Sequence, residues 1–581
     1  MSKKYFSLLN LVQPKNYSVE SKGQQLKSLR VSIILSMVII FSLPSCTLNL
    51  KAEPEIFIRF NQLGYQPNDI KTAVVLSYSK LEGKSIYIYN KQRKEKIFEI
   101  NLENNLGAYG KFPFTYRIDF SSVKTIGEYY FKYAQQNSYT FRINENIYNG
   151  LADSLLQFFR VQRCGYTDPF LHKVCHISDA TSIIDGLNVI TQTIDVTGGW
   201  HDAGDYVKFL NTTAVATYLL LFSYDFDPVK FGFDSNKNGT PDILEEAKVG
   251  LDWMLRCYYT KNKFVTQVQD LRDHEVGWRL PEDDALGYDR PAFVGIGKNL
   301  IGIYSATMAL ASRIWNDKFH FPEFSKKCLT AAENIYSIRN QVQNVDSSGS
   351  GMYLDKNYEG KLALGAVELY MTTLKTNYLN DATALADQAG SDFWWSWGNL
   401  NSLAHYRLAK FIPRFTDFIA KNLEEFNKKK KQNLFEKGTD LTWGTNVTLL
   451  GITLQNILYK KLTNDSKYDS VATSQRDYIL GKNQWGVSFI SGFGKNYTKN
   501  FHHQISFLKG KLPGGFSAGP ATKDFVDKAK INYDKPDLYL KFQTDNDYYR
   551  DDRMDYITNE PTITGNATAI FVMGNMVSGN K

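Results

Sequence analysis

Between residues 55 and 143, short apolar and aromatic runs recur, and the last of them alternates apolar and polar side chains with a period of two. The runs include Thr72–Leu76, Ile86–Tyr89 and Tyr129–Phe131, and the alternation falls at Tyr139, Phe141 and Ile143. Because successive side chains of a strand point to opposite faces, this alternation predicts strands that each bury one face. Turn signals containing glycine separate the runs. The segment therefore predicts a β-sandwich of short strands.

From about residue 146 onward, the apolar residues recur with the period of an α-helix. Tyr304, Met308, Ala311 and Trp315 fall on one helical face, and a second such face includes Val447, Leu450 and Leu454. The apolar run Ala569–Met573 predicts a buried helix near the C-terminus. Helical segments alternate with aromatic and glycine-rich loops over the rest of the chain. This pattern predicts a large, mostly helical domain.

The first 46 residues form a leader with a different character. Basic residues precede an apolar-rich run of 13 residues, Val31–Leu43, and Cys46 follows Ser45. This run is too short to span a bilayer but fits the core of a signal peptide. A small residue before a cysteine is typical of a bacterial lipoprotein cleavage site, after which Cys46 becomes the lipidated N-terminus. Plain secretion and an uncleaved membrane anchor are the alternatives.

The lipoprotein interpretation predicts an exported protein that a lipid anchors to the bacterial outer membrane or cell surface. Composition then excludes one class of partner. The 581-residue chain has a formal net charge of +8, but residues 1–46 hold six basic residues and one acidic residue. The remaining net charge of +3 is too small over this length to indicate nucleic-acid binding. We expect a monomer that contacts a membrane only through its lipid.

Two carboxylates stand three residues apart in the segment Gly198–Tyr206, where glycines and aromatic residues flank Asp202 and Asp205. Small residues let solvent and backbone come close, which suits the floor of a cleft. Neighbouring carboxylates repel each other, so their pKa values spread apart. One carboxylate can then act as a base while the other holds a water molecule. A polar loop without chemistry is the alternative.

A second acidic cluster lies far along the chain, in the segment Tyr549–Glu560. Glu560 stands between Asn559 and Pro561, just before the apolar run of the last predicted helix. A carboxylic acid that donates a proton near neutral pH needs a raised pKa, and therefore partial burial or acidic neighbours. An acid on one segment and a base on another is the pair that hydrolysis of a glycosidic bond requires. A solvated acidic loop is the alternative.

These motifs resemble those of glycoside hydrolase family 9, the endoglucanase (cellulase) family. Asp202–Asp205 resembles the catalytic-base segment of that family, and Tyr549–Ala567 resembles its catalytic-acid signature. Between them, Ser488–His503 resembles the histidine signature. Two positions depart from the pattern, because family members usually read Pro-His-His-Arg where this chain reads Phe-His-His-Gln and ends the motif at Gln504. The resemblance extends from about Glu55 to the C-terminus.

The resemblance implies an (α/α)6 barrel over residues 146–581 and an immunoglobulin-like β-sandwich over residues 47–145. The pattern of the leader itself predicts the lipoprotein-type signal peptide over residues 1–46. It implies Asp205 as the base, Asp202 as its assistant and Glu560 as the acid. The substrate-binding residues implied by the same motifs are His274, Trp278, His502 and Tyr556. Further tryptophans are candidates for stacking on sugar rings or for core positions, namely Trp394, Trp395, Trp397 and Trp443.

A twelve-residue segment reproduces the pattern of a calcium-binding loop. Oxygen donors recur at alternate positions, a glycine occupies the turn, and a glutamate closes the loop. The predicted ligands are Asp234, Asn236, Asn238, Thr240 through its carbonyl, Asp242 and Glu245. A plain acidic loop is the alternative. We expect a structural Ca²⁺ that fixes the entry into the next helix.

A set of four softer ligands comprises Cys164, Cys175, His176 and His201. Two cysteines and two histidines suit a closed tetrahedral site for structural Zn²⁺. The spacing resembles that of the zinc site that some family 9 enzymes carry beside the aspartate motif. A Cys164–Cys175 disulfide and unligated residues are the alternatives, the first because disulfides are common in exported proteins.

Three functional hypotheses follow from these residues and the resemblance. The favoured one is an endo-acting, inverting β-1,4-glucanase that acts on cellulose-like, mixed-linkage or xyloglucan chains. The second is an exo-acting glycosidase on short β-1,4-oligosaccharides, including those of glucosamine, which Gln504 leaves open. The third is a non-catalytic carbohydrate-binding lipoprotein. The presence of both Asp205 and Glu560 argues against the third, since a binding protein needs no matched acid and base.

Overall fold

The computed structural model describes residues 55–284, 289–349, 353 and 355–577. The predicted signal peptide, including the lipidation site Cys46, lies outside the described residues. Within the described part of the chain, no helix combines the length and the apolar character needed to cross a membrane.

The N-terminal part is an antiparallel β-sandwich, as its alternating pattern predicts. Its strands are β1 (Ile56–Arg59), β2 (Thr72–Ser77), β3 (Lys84–Asn90), β4 (Glu95–Leu102), β5 (Phe114–Asp119), β6 (Gly127–Tyr133), β7 (Gln136–Asn137) and β8 (Phe141–Ile143). One sheet has the order β1-β2-β5, and the other has the order β4-β3-β6-β7 with β8 beside β6. Alternate residues such as Val75, Ile86, Ile88 and Phe131 are fully buried between the sheets.

The remaining chain is mostly helical, with one small sheet. Its first helices and strands are α1 (Leu151–Gln162), β9 (Ser182–Asp185), β10 (Asn188–Ile190), β11 (Lys208–Phe209), α2 (Leu210–Phe226), α3 (Asp242–Arg256), β12 (Tyr258–Thr260), β13 (Lys263–Val268) and β14 (Pro291–Gly295). The helices that follow are α4 (Lys298–Asp317), α5 (Pro322–Ser337), α6 (Glu359–Thr373), α7 (Thr376–Ala389), α8 (Asn401–Ala409), α9 (Thr416–Lys430), α10 (Thr445–Thr463), α11 (Asp469–Ile479), α12 (Gln504–Lys509), α13 (Lys523–Lys528), α14 (Tyr556–Asn559) and α15 (Ile563–Asn575).

In the described chain, six helices form a closed inner ring in which α2, α4, α6, α8, α10 and α15 each pack on the next. A second layer surrounds them, since α3 packs on α2, α5 on α4, α7 on α6, α9 and α11 on α10, and α1 on α15. The inner helices are buried on nearly every side, and Leu210–Ser223 of α2 is buried without interruption. A helix that is buried all round belongs in the centre of a domain. This arrangement confirms the predicted mostly helical barrel.

A buried ionic network joins four consecutive helices of the inner ring. The Glu368 carboxylate on α6 accepts hydrogen bonds from Tyr218 on α2 at 2.6 Å and from Arg407 on α8 at 2.7 Å. Its other oxygen lies 2.6 Å from the guanidinium of Arg313 on α4. Because removing one partner of such a network leaves a buried charge unpaired, the network ties the four helices together.

The β-sandwich is fastened to the helical domain by buried polar side chains. Gln62 donates to the Gly486 carbonyl at 2.6 Å, and its own carbonyl accepts from the backbone of Lys495 and Asn496 at 3.0 and 2.9 Å. Asn61 donates to Asp477 at 2.9 Å. These contacts fix the start of the segment that continues to His502, so the sandwich braces one wall of the candidate site.

Candidate active site

A cleft of about 690 Å³ opens where α2, α10 and α15 begin. The seven residues that the sequence motifs nominate for catalysis or substrate binding all line it, namely Asp202, Asp205, His274, Trp278, His502, Tyr556 and Glu560. Trp394, Trp397 and Trp443 line the same cleft, whereas Trp395 is buried in the core. The structure therefore brings together residues that are up to 358 positions apart in the sequence.

Backbone contacts hold the loop of Asp202 and Asp205 against two distant segments. The Gly204 amide donates to Glu560 Oε1 at 3.2 Å, and the Gly204 carbonyl accepts from the Gln504 amide at 2.9 Å. The Ile563 amide donates to the Asp202 carbonyl at 3.0 Å. A Cβ atom at Gly204 would lie only 2.3 Å from the His502 carbonyl oxygen, so glycine is required here by close approach.

Asp202 is buried beneath the cleft and held by two hydroxyl groups. Tyr353 donates to Asp202 Oδ2 at 2.6 Å, and Thr212 donates to Oδ1. Burial raises the pKa of Asp202 to about 6, although these two hydrogen bonds favour the ionised form. Neither Tyr353 nor Thr212 was predicted from the sequence. Their roles depend on a tertiary contact, and nothing in their local sequence signals it.

Asp205 faces the cleft beside a charged histidine. His274 Nε2 lies 2.6 Å from Asp205 Oδ2. The hydrogen bond to the Asp205 carboxylate raises the pKa of His274 to about 9, so this histidine carries a positive charge at neutral pH. The imidazolium orients Oδ2 of Asp205. The other oxygen, Oδ1, accepts from the Val207 amide at 3.1 Å, and the two contacts together fix the plane of the carboxylate.

Glu560 lies partly buried at the floor of the cleft, directly after α14. Burial and the nearby Asp205 carboxylate raise the pKa of Glu560 to about 8, against the opposing hydrogen bond from the Gly204 amide. Its carboxyl group is therefore protonated at neutral pH. The site thus contains an acid that can donate a proton and a separate carboxylate that can accept one.

An aromatic wall stands beside these carboxyl groups. Trp278 stacks on Phe507 with ring centroids 4.4 Å apart and a 5° angle between the planes, and it meets His502 edge-on at 5.1 Å. The His502 Nδ1 lies 2.8 Å from the Arg553 carbonyl, so this nitrogen carries the proton and Nε2 is an acceptor. Burial lowers the pKa of His502 to about 4, which keeps the ring neutral. Flat apolar faces with fixed polar edges suit the binding of a sugar ring.

Cys164, Cys175, His176 and His201 form a buried cluster whose candidate ligand atoms all lie within 4.8 Å of one another. His176 Nδ1 is 3.2 Å from His201 Nε2 and 3.7 Å from Cys164 Sγ. The ligand–ligand edges of tetrahedral zinc are about 3.3 Å between nitrogens and about 3.6 Å between nitrogen and sulfur. The donor set therefore fits a tetrahedral metal ion. Both cysteines are free thiols in the described structure, so the predicted disulfide alternative is not formed.

The surroundings of this cluster also favour a cation. His176 Nε2 lies 2.9 Å from the Asp284 carboxylate, the kind of outer contact that orients a histidine ligand. Burial alone raises the pKa of a thiol, but the hydrogen bond from Cys175 and the Lys208 ammonium hold the pKa of Cys164 well below its usual value. A thiolate is the form that binds metal.

The predicted calcium loop folds back on itself at the entry to α3. Asn236 donates to the Glu245 carboxylate at 3.1 Å, and the Gly239 amide donates to Asp234 Oδ2 at 2.8 Å. Gly239 has a φ of +88°, a conformation that favours glycine at the turn. Of the remaining predicted ligands, Asn238 and Thr240 lie in the same short loop, and Asp242 is the first residue of α3. Hydrogen bonds from Asn236 and Asn238 to Glu245 tie this loop to the first turn of the helix.

Both parts of the chain match known protein families. The sequence profile described as glycosyl hydrolase family 9 matches residues 148–573, which is most of the chain. The chain belongs to glycosyl hydrolase family 9. Its N-terminal part matches the cellulase N-terminal ig-like domain over residues 53–138. The family resemblance read from the motifs is therefore confirmed, together with the fold class.

This family 9 enzyme is similar to several characterised relatives. A xyloglucan-specific endo-β-1,4-glucanase from Bacteroides ovatus is 27% identical, with 90% of this chain and 94% of the relative covered. Endoglucanase D from Acetivibrio thermocellus is 24% identical, with 90% and 84% covered.

Solved structures share the same fold. A metagenome-derived family 9 endoglucanase superposes with a TM-score of 0.77 at 25% identity, covering 90% of this chain and 99% of that one. A zinc-binding triple mutant of the family 9 endoglucanase J30 has a TM-score of 0.75 at 23% identity, covering 89% and 100%.

The close approach at Gly204 generates a prediction for this glycoside hydrolase. In Gly204→Ala, the new methyl group must displace the His502 carbonyl or the loop of Asp205, because both are backbone. A displacement of about 1 Å in an active site costs roughly 100-fold in rate, so we expect glycoside hydrolysis to fall by at least that factor. The control is Gly83→Ala in a sandwich turn, where a Cβ atom meets nothing within 4 Å. Equal activity in the two variants would contradict the role of Gly204.

Proposed function

We propose that this family 9 enzyme is an endo-acting β-1,4-glucanase that hydrolyses its substrate with inversion. The observation that carries the proposal is the pairing of a protonated Glu560 with a separate carboxylate, Asp205, in one open aromatic cleft. An open cleft accommodates the middle of a chain, which endo-acting hydrolysis requires. The endoglucanase names of its relatives support the same activity.

Each carboxyl group has a distinct role in this proposal. Glu560 protonates the oxygen of the leaving sugar, and Asp205 accepts a proton from the water that attacks the opposite face of the ring. Asp202 helps to hold that water, and its charge lies close enough to Glu560 to raise the pKa of the acid. His274 orients Asp205, while His502, Trp278 and Tyr556 bind the sugar.

The proposed substrates are soluble or accessible β-1,4-glucans, including cellulose-like, mixed-linkage and xyloglucan chains. The similarity to a xyloglucan-specific enzyme from Bacteroides ovatus places xyloglucan first among the polymers to test. Products from a panel of β-glucans and chitosan oligomers would separate endo-acting hydrolysis from exo-acting release of short sugars. Monosaccharide as the first product, or activity confined to glucosamine oligomers, would favour the second hypothesis.

The mechanism predicts the stereochemistry of the product and the effect of two isosteric substitutions. We expect a fresh α-anomer from the β-linked substrate, observed by NMR before mutarotation. Asp205→Asn and Glu560→Gln should each lower kcat by roughly 100-fold or more while sugar binding is retained, because an amide keeps the shape but cannot transfer the proton. The amide variant Asp195→Asn, on an exposed loop, is the matched control. A β-anomer formed first would refute inversion.

The shifted pKa values predict a bell-shaped dependence of kcat/KM on pH. Glu560 must be protonated to act as the acid, so activity should fall as pH rises through about 8. Asp202 must be ionised to hold the water, so activity should fall as pH drops through about 6. Thermal midpoints over the same pH range control for unfolding. If activity instead fell as pH rose through about 5, far below the pKa of either Glu560 or His274, Glu560 would be excluded as the acid.

We propose that the Cys/His cluster holds a structural Zn²⁺ and that the loop at α3 holds a structural Ca²⁺. Zinc would be bound by Cys164, Cys175, His176 and His201, and its charge would stiffen the chain just before Asp202. Calcium would be bound by Asp234, Asn236, Asn238, Thr240, Asp242 and Glu245. The proton transfers use carboxyl groups, so both ions would act on stability.

Metal analysis of the purified enzyme tests both sites. We expect about one zinc and one calcium per chain, and a lower thermal midpoint after either is chelated, because a ligand that binds only the folded state stabilises it. Cys175→Ser should lose zinc alone, and Glu245→Gln should lose calcium alone. Cys328→Ala, at a buried cysteine outside the cluster, should retain both ions. A midpoint unchanged by chelation, with no metal found beforehand, would contradict the corresponding site.

We also propose that the enzyme is exported and anchored by a lipid on Cys46, with secretion as the alternative. The basic and apolar character of the leader supports this localisation. Mass spectrometry of the mature N-terminus distinguishes a lipidated Cys46 from a plain cleaved end.

A further inference from the structure

Arg279 lies between the Cys/His cluster and the cleft and contacts both sides. Its side chain is only 10% exposed, on the loop between β13 and β14. The guanidinium lies 2.6 Å from the Asp273 carboxylate and also forms an ion pair with Asp284. Nη1 donates to the Gly277 carbonyl at 2.9 Å. A planar guanidinium with donors in several directions can hold all these acceptors at once.

On the cleft side, Arg279 reaches the proposed base through Asp273. The second oxygen of Asp273 accepts from the Tyr206 amide at 3.0 Å, and Tyr206 directly follows Asp205. Asp273 also directly precedes His274, which contacts Asp205. Fixing Asp273 therefore fixes both the loop that carries Asp205 and the histidine that orients it.

On the other side, Arg279 shares a carboxylate with a proposed metal ligand. Asp284 pairs with Arg279 through Oδ1, and its Oδ2 lies 2.9 Å from His176 Nε2 and 3.4 Å from Arg290. The side chains of Asp284 and Asp273 are both fully buried. Arg279 thus connects the rigid cluster to the wall of the cleft through two buried ion pairs.

Arg279 also holds the side chain of Gln504, a residue of the cleft lining. The Gln504 carbonyl oxygen accepts from the Arg279 amide and from Arg279 Nη1, both at 3.3 Å. The amide nitrogen of Gln504 is then turned toward Asp273, 3.4 Å away, and Gln504 lines the cleft. Both ends of this neutral side chain are therefore held, by Arg279 and by Asp273, at the position where the family motif usually has arginine.

We propose that Arg279 is a positioning residue for catalysis and that it acts through two partners. Through Asp273 it aligns the His274–Asp205 pair, and through Gln504 it holds in shape the part of the cleft lining where the family motif usually has arginine. This inference rests on the proposed glucanase function. We expect the contact with Asp273 to affect kcat and the contact with Gln504 to affect substrate affinity.

The test compares kinetic constants of Arg279→Met and Arg279→Lys with those of the wild type on a soluble β-1,4-glucan. We expect kcat to fall by about 10- to 100-fold in Arg279→Met, since small misplacements of catalytic groups have effects of that size. KM should rise by several-fold. Arg279→Lys should recover only part of the loss, because an ammonium cannot hold Asp273, Asp284 and Gln504 together. The matched control is Arg414→Met, which breaks a bidentate ion pair with Asp387 on the exposed surface. This variant should leave kcat and KM unchanged.

A double-mutant cycle with Gln504→Ala separates positioning from a general loss of structure. In the Gln504→Ala background, Arg279→Met should no longer change KM, whereas the decrease in kcat should persist. Zinc content and thermal midpoint are measured for every variant. If Arg279→Met does not fold, Arg279→Lys takes its place in the cycle.

Two kinds of result would overturn the proposal. Arg279 variants with the same kcat and KM as Arg414→Met would exclude a positioning role. A loss of activity that is fully accounted for by lost zinc or by unfolding would exclude it as well. A wild-type enzyme with no β-1,4-glucanase activity would instead refute the proposed function. The role of Arg279 is thus judged in an enzyme already shown to be active.

Discussion

The meeting of three distant backbone segments at Gly204 is the constraint on which the site depends. The loop of Asp202 and Asp205 touches the segment of His502 and the segment of Glu560 within hydrogen-bonding distance. A side chain at Gly204 would separate them. This contact places Asp205 near Glu560, and the repulsion between the two carboxyl groups, added to burial, keeps Glu560 protonated. The proposed acid and the proposed base are therefore distinguished by their surroundings, although both are ordinary carboxyl groups.

The surrounding structure makes that contact rigid. The inner ring of helices presents the starts of α2, α10 and α15 to the cleft, and the Glu368 network ties four of its members together. The β-sandwich holds the chain that leads to His502 through Gln62. Catalytic groups must be held to a fraction of an ångström, and residues supported by buried partners meet that demand better than residues on free loops.

Buried charges surround the site, and most of them are paired. Arg279, Asp273, Asp284 and His176 form one continuous series of contacts from the cleft wall to the cysteine and histidine cluster. Such pairs contribute little net stability, because desolvation offsets their attraction. Breaking one pair leaves a buried charge unpaired. Because that is costly, the arrangement in which every pair is formed is strongly favoured over the others. In this enzyme the series fixes the geometry of the cleft wall beside the proposed base, Asp205.

The sequence by itself determined the fold class, the two kinds of domain and the identity of the proposed site residues. Strand and helix periods are local properties, and the motifs around Asp205, His502 and Glu560 carry their chemistry in consecutive residues. The tertiary structure decided the burial, the hydrogen-bond partners and hence the pKa values of those residues. Tyr353 and Thr212 act on Asp202, and Arg279 acts on Gln504 and Asp273, across separations that no local pattern records. Burial decided which tryptophans reach the cleft, and it separated Trp395 from Trp394 and Trp397. The physical reason is that pKa values and side-chain orientations depend on neighbours in space, which the folded chain alone brings together.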